Sequence, residues 1–233
     1  MNELTKKRMK EWADSCETES FAANDPVRIP RGFTLLQDIE IAAFVTSWLD
    51  YGKRDDVTMA TLNVIRCMGK SPYRYIMNRE YAGCKEEYFQ LHSFITWNDL
   101  FYVCDALNNL YTAYDSMEDY ILASVRDKDP DSPDLYLMPL VDLFEGCYGV
   151  PMSTVSACYR LCLFLRWMVR TDSRVDLGVW KRLSPARLVM PLNARAFHTA
   201  RELGLVTRLS RDMKAALQLT QEMRKAFGAD PLR

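Results

Sequence analysis

Every stretch of this sequence that could fold regularly carries a helical period and is closed by a cap or a glycine. That leaves almost no chain from which to build a sheet. In "TLLQDIEIAAFVTSWLDYG", Leu35, Ile39, Ala42, Ala43 and the run from Val45 to Leu49 recur at helical spacing before Gly52. "RDDVTMATLNVIRCMGK" opens with Asp55 as its cap and closes at Gly69, and "SPYRYIM" pairs an N-cap, Ser71, with Pro72 at the first helical position. Leu100, Val103, Leu107 and Leu110 form one apolar face in "NDLFYVCDALNNLYTAY", and Ser116 to Asp119 resembles a capping box opening "MEDYILASV". Helices resume in "LYLMPLVDLFEGCYG" and "STVSACYRLCLFLRWMVR", with short pieces around "VDLGVWKRLSPARL". A last helix runs from a cap at Ser210 to Gly228. No alternating run with hairpin signals and no internal repeat interrupts this pattern, so the expected class is all-α.

The one clear interruption is "RDKDPDSPD", residues 126 to 134, whose Pro, Asp and Ser make a solvated loop. It divides a single all-helical unit into an acidic lobe over roughly residues 1–126 and a basic lobe over roughly residues 135–233, with residues 127–134 as the connection. The charge follows the same division. Residues 1–150 hold 15 Lys+Arg against 25 Asp+Glu, and residues 151–233 hold 15 against 6. A net +9 in the second part fits a polyanionic partner; it fits equally a basic part that pairs with the acidic one.

Other classes are disfavoured. No apolar run reaches the ~18 residues of a membrane span, and the charged N-terminus lacks the apolar stretch of a secretory signal. Seven cysteines, an odd number without C-x-x-C, point to reduced thiols in a cytoplasmic protein. With only His92 and His198 as histidines, a zinc site is not expected.

Three blocks then become informative together: "FLRWMVR" (164–170), "VDLGVWKRLSP" (175–185) and "PLNARAFHTARELGLVTR" (191–208). With "DPVRIP", "DIEIAAFVTSWLDYGKR" and "SPYRYIM", they resemble an uncharacterised bacterial family, the domain-of-unknown-function family numbered twenty-four hundred, over nearly the whole chain. That family in turn resembles the helix-hairpin-helix DNA glycosylases, in particular the archaeal 8-oxoguanine glycosylases, through the segment beginning at Pro191.

The resemblance implies two helical lobes around a cleft, double-stranded DNA as partner, and excision of an extruded base without metal or other cofactor. It implies a carboxylate at the start of the helix after Pro191, stabilising the sugar's developing positive charge, and a lysine attacking C1′ at the start of the "FLRWMVR" helix. This chain has Asn193 and Tyr159 at those two positions, Cys162 where the block usually has asparagine, and Arg195 in place of the histidine. Asn caps a helix about as well as Asp does, but without the charge. Tyr159 cannot serve as an amine nucleophile. Impaired or absent catalysis is therefore expected. The alternative is a non-enzymatic helical protein that binds DNA or another protein. The glycosylase hairpin, with its two glycines, is reduced to "YGVPMSTVSA", leaving phosphate binding to helix amides near Ser153. The absence of cysteines after Cys162 removes the iron–sulfur cluster that some relatives carry.

The remaining candidates each have two readings. Arg160, Arg166, Arg170 and Arg174 form a phosphate-facing strip or a salt-bridged surface, with Arg166 and Arg170 sharing a face at i,i+4. Trp97, Trp167 and Trp180 stack on an extruded base or pack in the core. Asp99, Asp172 and Asp176 offer a substitute carboxylate or simply cap and solvate. His92 and His198 are catalysts or ordinary polar contacts.

Overall fold

The computed structural model describes residues 1–233. Eleven α-helices and one small hairpin make up the fold: α1 (Glu3–Cys16), α2 (Glu19–Ala23), α3 (Leu36–Trp48), α4 (Arg54–Met68), α5 (Pro72–Met77), β1 (Gln90–His92), β2 (Ile95–Thr96), α6 (Trp97–Ala113), α7 (Met117–Val125), α8 (Leu137–Leu143), α9 (Tyr159–Val169), α10 (Ala194–Glu202) and α11 (Met213–Phe227). The chain is all-α apart from β1 and β2, an antiparallel pair that the sequence pattern did not signal because each strand is only two or three residues long.

Helix α3 is the axis of the molecule. It is buried from Ile41 through Trp48, with no polar face, as a helix surrounded by other elements must be. It packs against α4, α5 and α9. The Phe44 ring stacks on Phe144, centroids 3.9 Å apart, and meets Phe164 of α9 edge-on at 5.6 Å. Phe164 in turn meets Trp180 edge-on at 5.4 Å. Trp180 is fully buried; it belongs to the core and not to a base-stacking surface, and Trp167 is buried as well. The apolar cluster containing these rings draws on residues before and after the 127–134 loop, so one core serves both parts of the chain.

The caps at Ser71, Ser116 and Asn193 each accept a hydrogen bond from the third following amide, and Gly69 and Gly228 end α4 and α11 in left-handed conformations. Three boundaries differ from the sequence pattern. Helix α4 starts at Arg54, before Asp55. Helix α11 is capped by Asp212, because the Ser210 hydroxyl donates to the Asp212 carboxylate and does not cap the helix itself. Helix α9 begins at Tyr159, well after Ser153. Residues 155–156 are tied instead to the start of α11, with the Met213 amide donating to the Val155 carbonyl at 3.1 Å and Ser156 bridging Asp212.

The most deeply buried carboxyl of the chain lies in this core. Glu40 has no solvent exposure and accepts from the Trp180 indole at 2.7 Å, the Tyr111 hydroxyl at 2.9 Å and the Met117 amide. Burial outweighs these three donors and pushes its pKa up to about 7. The folded state therefore holds a proton that the unfolded chain, with an ordinary glutamate, has lost. Between about pH 4.5 and 7 this group makes the fold less stable as pH rises, by up to about 3 kcal/mol. Glu40→Gln abolishes the titration, and its side-chain N–H can donate to the Tyr111 oxygen. Denaturation midpoints of the two proteins across pH 5 to 8 should therefore diverge, with wild type losing ground as pH rises. Parallel curves would show that Glu40 does not titrate in this window.

Candidate functional site

Helices α9 and α10 start on the same side of the molecule, and their first residues open onto a cleft of about 1100 Å³. Its walls come from α1 (Met9, Trp12, Cys16), from the turn after α3 (Asp50 to Arg54), from α9 (Tyr159, Arg160, Leu163, Arg166) and from the start of α10 (Asn193 to Arg195). Tyr159 and Asn193, 34 positions apart in sequence, are thus brought to one site. Asn193 is the N-cap of α10, its side chain accepting from the Ala196 amide at 2.8 Å. Its side chain also lies against the Tyr159 phenol.

Tyr159 donates its hydroxyl proton to Asp50 at 2.5 Å. Burial and the adjacent Asp50 carboxylate hold the phenol well above its usual pKa, so it stays protonated and serves as a donor. Asp50 is the carboxylate that the sequence pattern did not single out; of the three proposed from sequence, only Asp176 borders the cleft, and its carboxylate is taken up by arginines. Asp99 closes the capping box of α6 with Thr96, Asp172 is exposed, and Asp176 is buried in an ion-pair network. Asp25, also on the cleft wall, accepts from the Val27 amide at 3.0 Å and lies 3.5 Å from Arg54; burial raises its pKa.

The arginines expected to form one strip separate. Arg170 is 1% exposed, so it cannot face a phosphate. Its guanidinium bonds Asp176, reaches Asp230 at 3.0 Å and approaches Glu17 at 3.5 Å. Arg166 points to the same Asp176 at 3.3 Å, which is the shared face that their spacing implies, turned inward. Arg174 is exposed, and its amide donates to Glu17 at 2.9 Å. Asp176 and Asp230 belong to the basic part itself, and Glu17 is the point at which the acidic part pairs with it here. Arg160 and Arg195 remain directed at the cleft without a carboxylate partner, joined by Lys53 and Arg211. Seven Lys or Arg against four Asp or Glu line the cleft, so it is positive although the chain as a whole is not.

Ser153 is exposed and lies outside α9, which begins at Tyr159, so it offers no helix amides to an anion. His92 bonds the Tyr51 carbonyl at 2.8 Å, and His198 is exposed on α10. No helix is long and apolar enough to cross a membrane, and no group of three or more His, Cys, Asp or Glu is arranged to hold a metal ion.

Fold and site together define a helical protein with a single core and a positively charged cleft at the starts of two helices. The chain belongs to the family described as protein of unknown function (DUF2400), whose model matches residues 25–233. No curated protein and no solved structure matches it.

Proposed function

We propose that this protein is a helix-hairpin-helix glycosylase-type scaffold that binds DNA at the α9–α10 cleft and has lost the groups needed to excise a base. The observation that carries the reading is the meeting of Tyr159 and Asn193 in that cleft. The resemblance assigns those positions a lysine and an aspartate, which in a working site must lie together. Their convergence is what a shared site requires, and the cleft's surplus of cations suits a phosphate backbone. The chemistry is missing on both counts: a protonated phenol is no nucleophile toward C1′, and an amide brings no negative charge to an oxocarbenium-like sugar.

The geometry also dictates how to test this. A lysine put at position 159 would meet Asp50 within ion-pairing distance, and that pairing would keep its amine protonated and inert. Restoration therefore needs Tyr159→Lys and Asn193→Asp together with Asp50→Asn. On a duplex containing an abasic site or 8-oxoguanine, borohydride should trap a covalent adduct with the triple variant. Little or none should form with wild type or with Tyr159→Lys alone, since groups that act as a unit are strongly non-additive. A folded triple variant that binds the duplex yet yields no adduct would sink the glycosylase reading. Efficient trapping by wild type, which has no amine at position 159, would instead overturn the loss of catalysis, by showing that another amine does the work.

A further inference from the structure

Arg160 lies on the wall of the cleft, and its surroundings are unlike those of the paired arginines. Its guanidinium lies 3.8 Å above the Tyr51 ring centroid, and one N–H donates to the Gly149 carbonyl at 3.0 Å. Its Nε is buried without a partner. Tyr51 continues edge-on into Phe94, centroids 4.5 Å apart, and Phe94 continues edge-on into Tyr148 at 5.7 Å. Phe94, in the turn between β1 and β2, is 50% exposed, and Tyr148 is 52% exposed.

The backbone holds these rings outward. The Tyr148 carbonyl accepts from the Trp48 indole at 2.9 Å, and Gly149 adopts a positive φ of 83°. A Cβ on Gly149 would come within 2.9 Å of the Trp48 Nε1, so only glycine lets the chain pass this close. On the opposite side, Ser93 takes a left-handed turn with φ 53°, and His92 fixes the hairpin to the Tyr51 carbonyl. A path of aromatic rings thus runs from Tyr51, on the cleft wall next to Asp50, out to the surface, and cations without carboxylate partners line the cleft where it starts.

We propose that Tyr51, Phe94 and Tyr148, with Arg160, form a stacking platform for the unpaired bases of a nucleic-acid strand, whose phosphates are met by Lys53, Arg195 and Arg211. The proposal rests on the nucleic-acid reading of the cleft and narrows it to an unstacked strand. Ring faces and a guanidinium plane attract bases only when those bases have left the duplex stack, and they do so with little regard to sequence.

The test measures anisotropy of three labelled probes of equal length at low salt: an oligothymidine strand, an abasic strand and a duplex. Wild type should bind the thymidine strand roughly tenfold or more tighter than the other two. Phe94→Ala with Tyr148→Ala should weaken thymidine binding by roughly tenfold to a hundredfold and leave the abasic strand nearly unchanged. If the double alanine variant unfolds by circular dichroism, Phe94→Leu with Tyr148→Leu keeps apolar volume, removes the π faces and should give the same pattern. Equal binding to the thymidine and abasic strands, tighter duplex binding, or unaltered binding by the folded double variant would remove the platform while leaving the nucleic-acid reading in place. Failure to bind any of the three probes would overturn both.

Discussion

Arg170→Ala is expected to destabilise the fold by about 3–5 kcal/mol, the usual cost of removing one partner from a buried ion pair. For a chain of this size that corresponds to a fall in Tm of roughly 6–20 °C. Arg170 bonds Asp176 on the segment after α9, Asp230 beyond α11 and Glu17 beyond α1. Without it, Asp176, itself 4% exposed, keeps only Arg166 as a cation. Two more variants separate the charge from the shape. Arg170→Lys retains the charge but cannot bridge three carboxylates with a planar fork, and should recover only part of the loss. Asp230→Asn, at a half-buried site, should cost less than the loss of Arg170. Thermal denaturation would settle this: a fall in Tm of under about 3 °C for Arg170→Ala would mean that the network contributes little.

Trp180→Ala should be at least as damaging. Removal of a fully buried large aromatic costs about 3–5 kcal/mol through lost burial and the cavity left behind. Here the ring also closes the stack of Phe44, Phe144 and Phe164. Glu40 would lose its closest donor at the same time, adding about 1–3 kcal/mol for a less satisfied buried group. Trp180→Phe distinguishes the two contributions, since it keeps most of the ring volume and removes only the N–H. Urea denaturation should order the proteins as wild type, then Trp180→Phe, then Trp180→Ala. If Trp180→Phe proves as unstable as Trp180→Ala, the indole hydrogen bond matters more than packing. If both match wild type, Trp180 is not the core residue its burial implies.

What the sequence revealed and what it concealed follow from the range of the interactions. Helix caps are local. Ser71, Ser116 and Asn193 each bond an amide three residues away, and all three are legible from neighbouring residues. The start of α9 was misplaced because residues 155–156 pair with the start of α11, more than fifty residues further on. Arg170 looked like a surface cation because its partners Glu17 and Asp230 lie 153 and 60 residues away. Asp50 escaped notice because nothing near "WLDYG" identifies it as a partner for Tyr159, 109 residues on. The nearest local signal is that Asp50 closely precedes the turn at Gly52, which carries the chain along the cleft. Tyr159 and Asn193 could be placed in one site from sequence only through the resemblance, since neither residue type marks a site by itself.

Helix α1 contributes one wall of the cleft, yet none of its residues is buried. It packs against α11, and near its end the Arg233–Asp14 pair, 2.8 Å apart, is half-exposed on both sides. Such a contact is worth about 0–1 kcal/mol and weakens as salt rises. Helix α3, enclosed on every side, can exchange its amide hydrogens only when the whole molecule opens. Helix α1 is held at its two ends, by the Met1 ammonium on Glu222 and by Glu17 on Arg170, but buries no residue between them, so its amides exchange through partial openings of lower free energy. The cleft therefore joins a floor that belongs to the core to an α1 wall of lower local stability, pinned at its two ends by ion pairs.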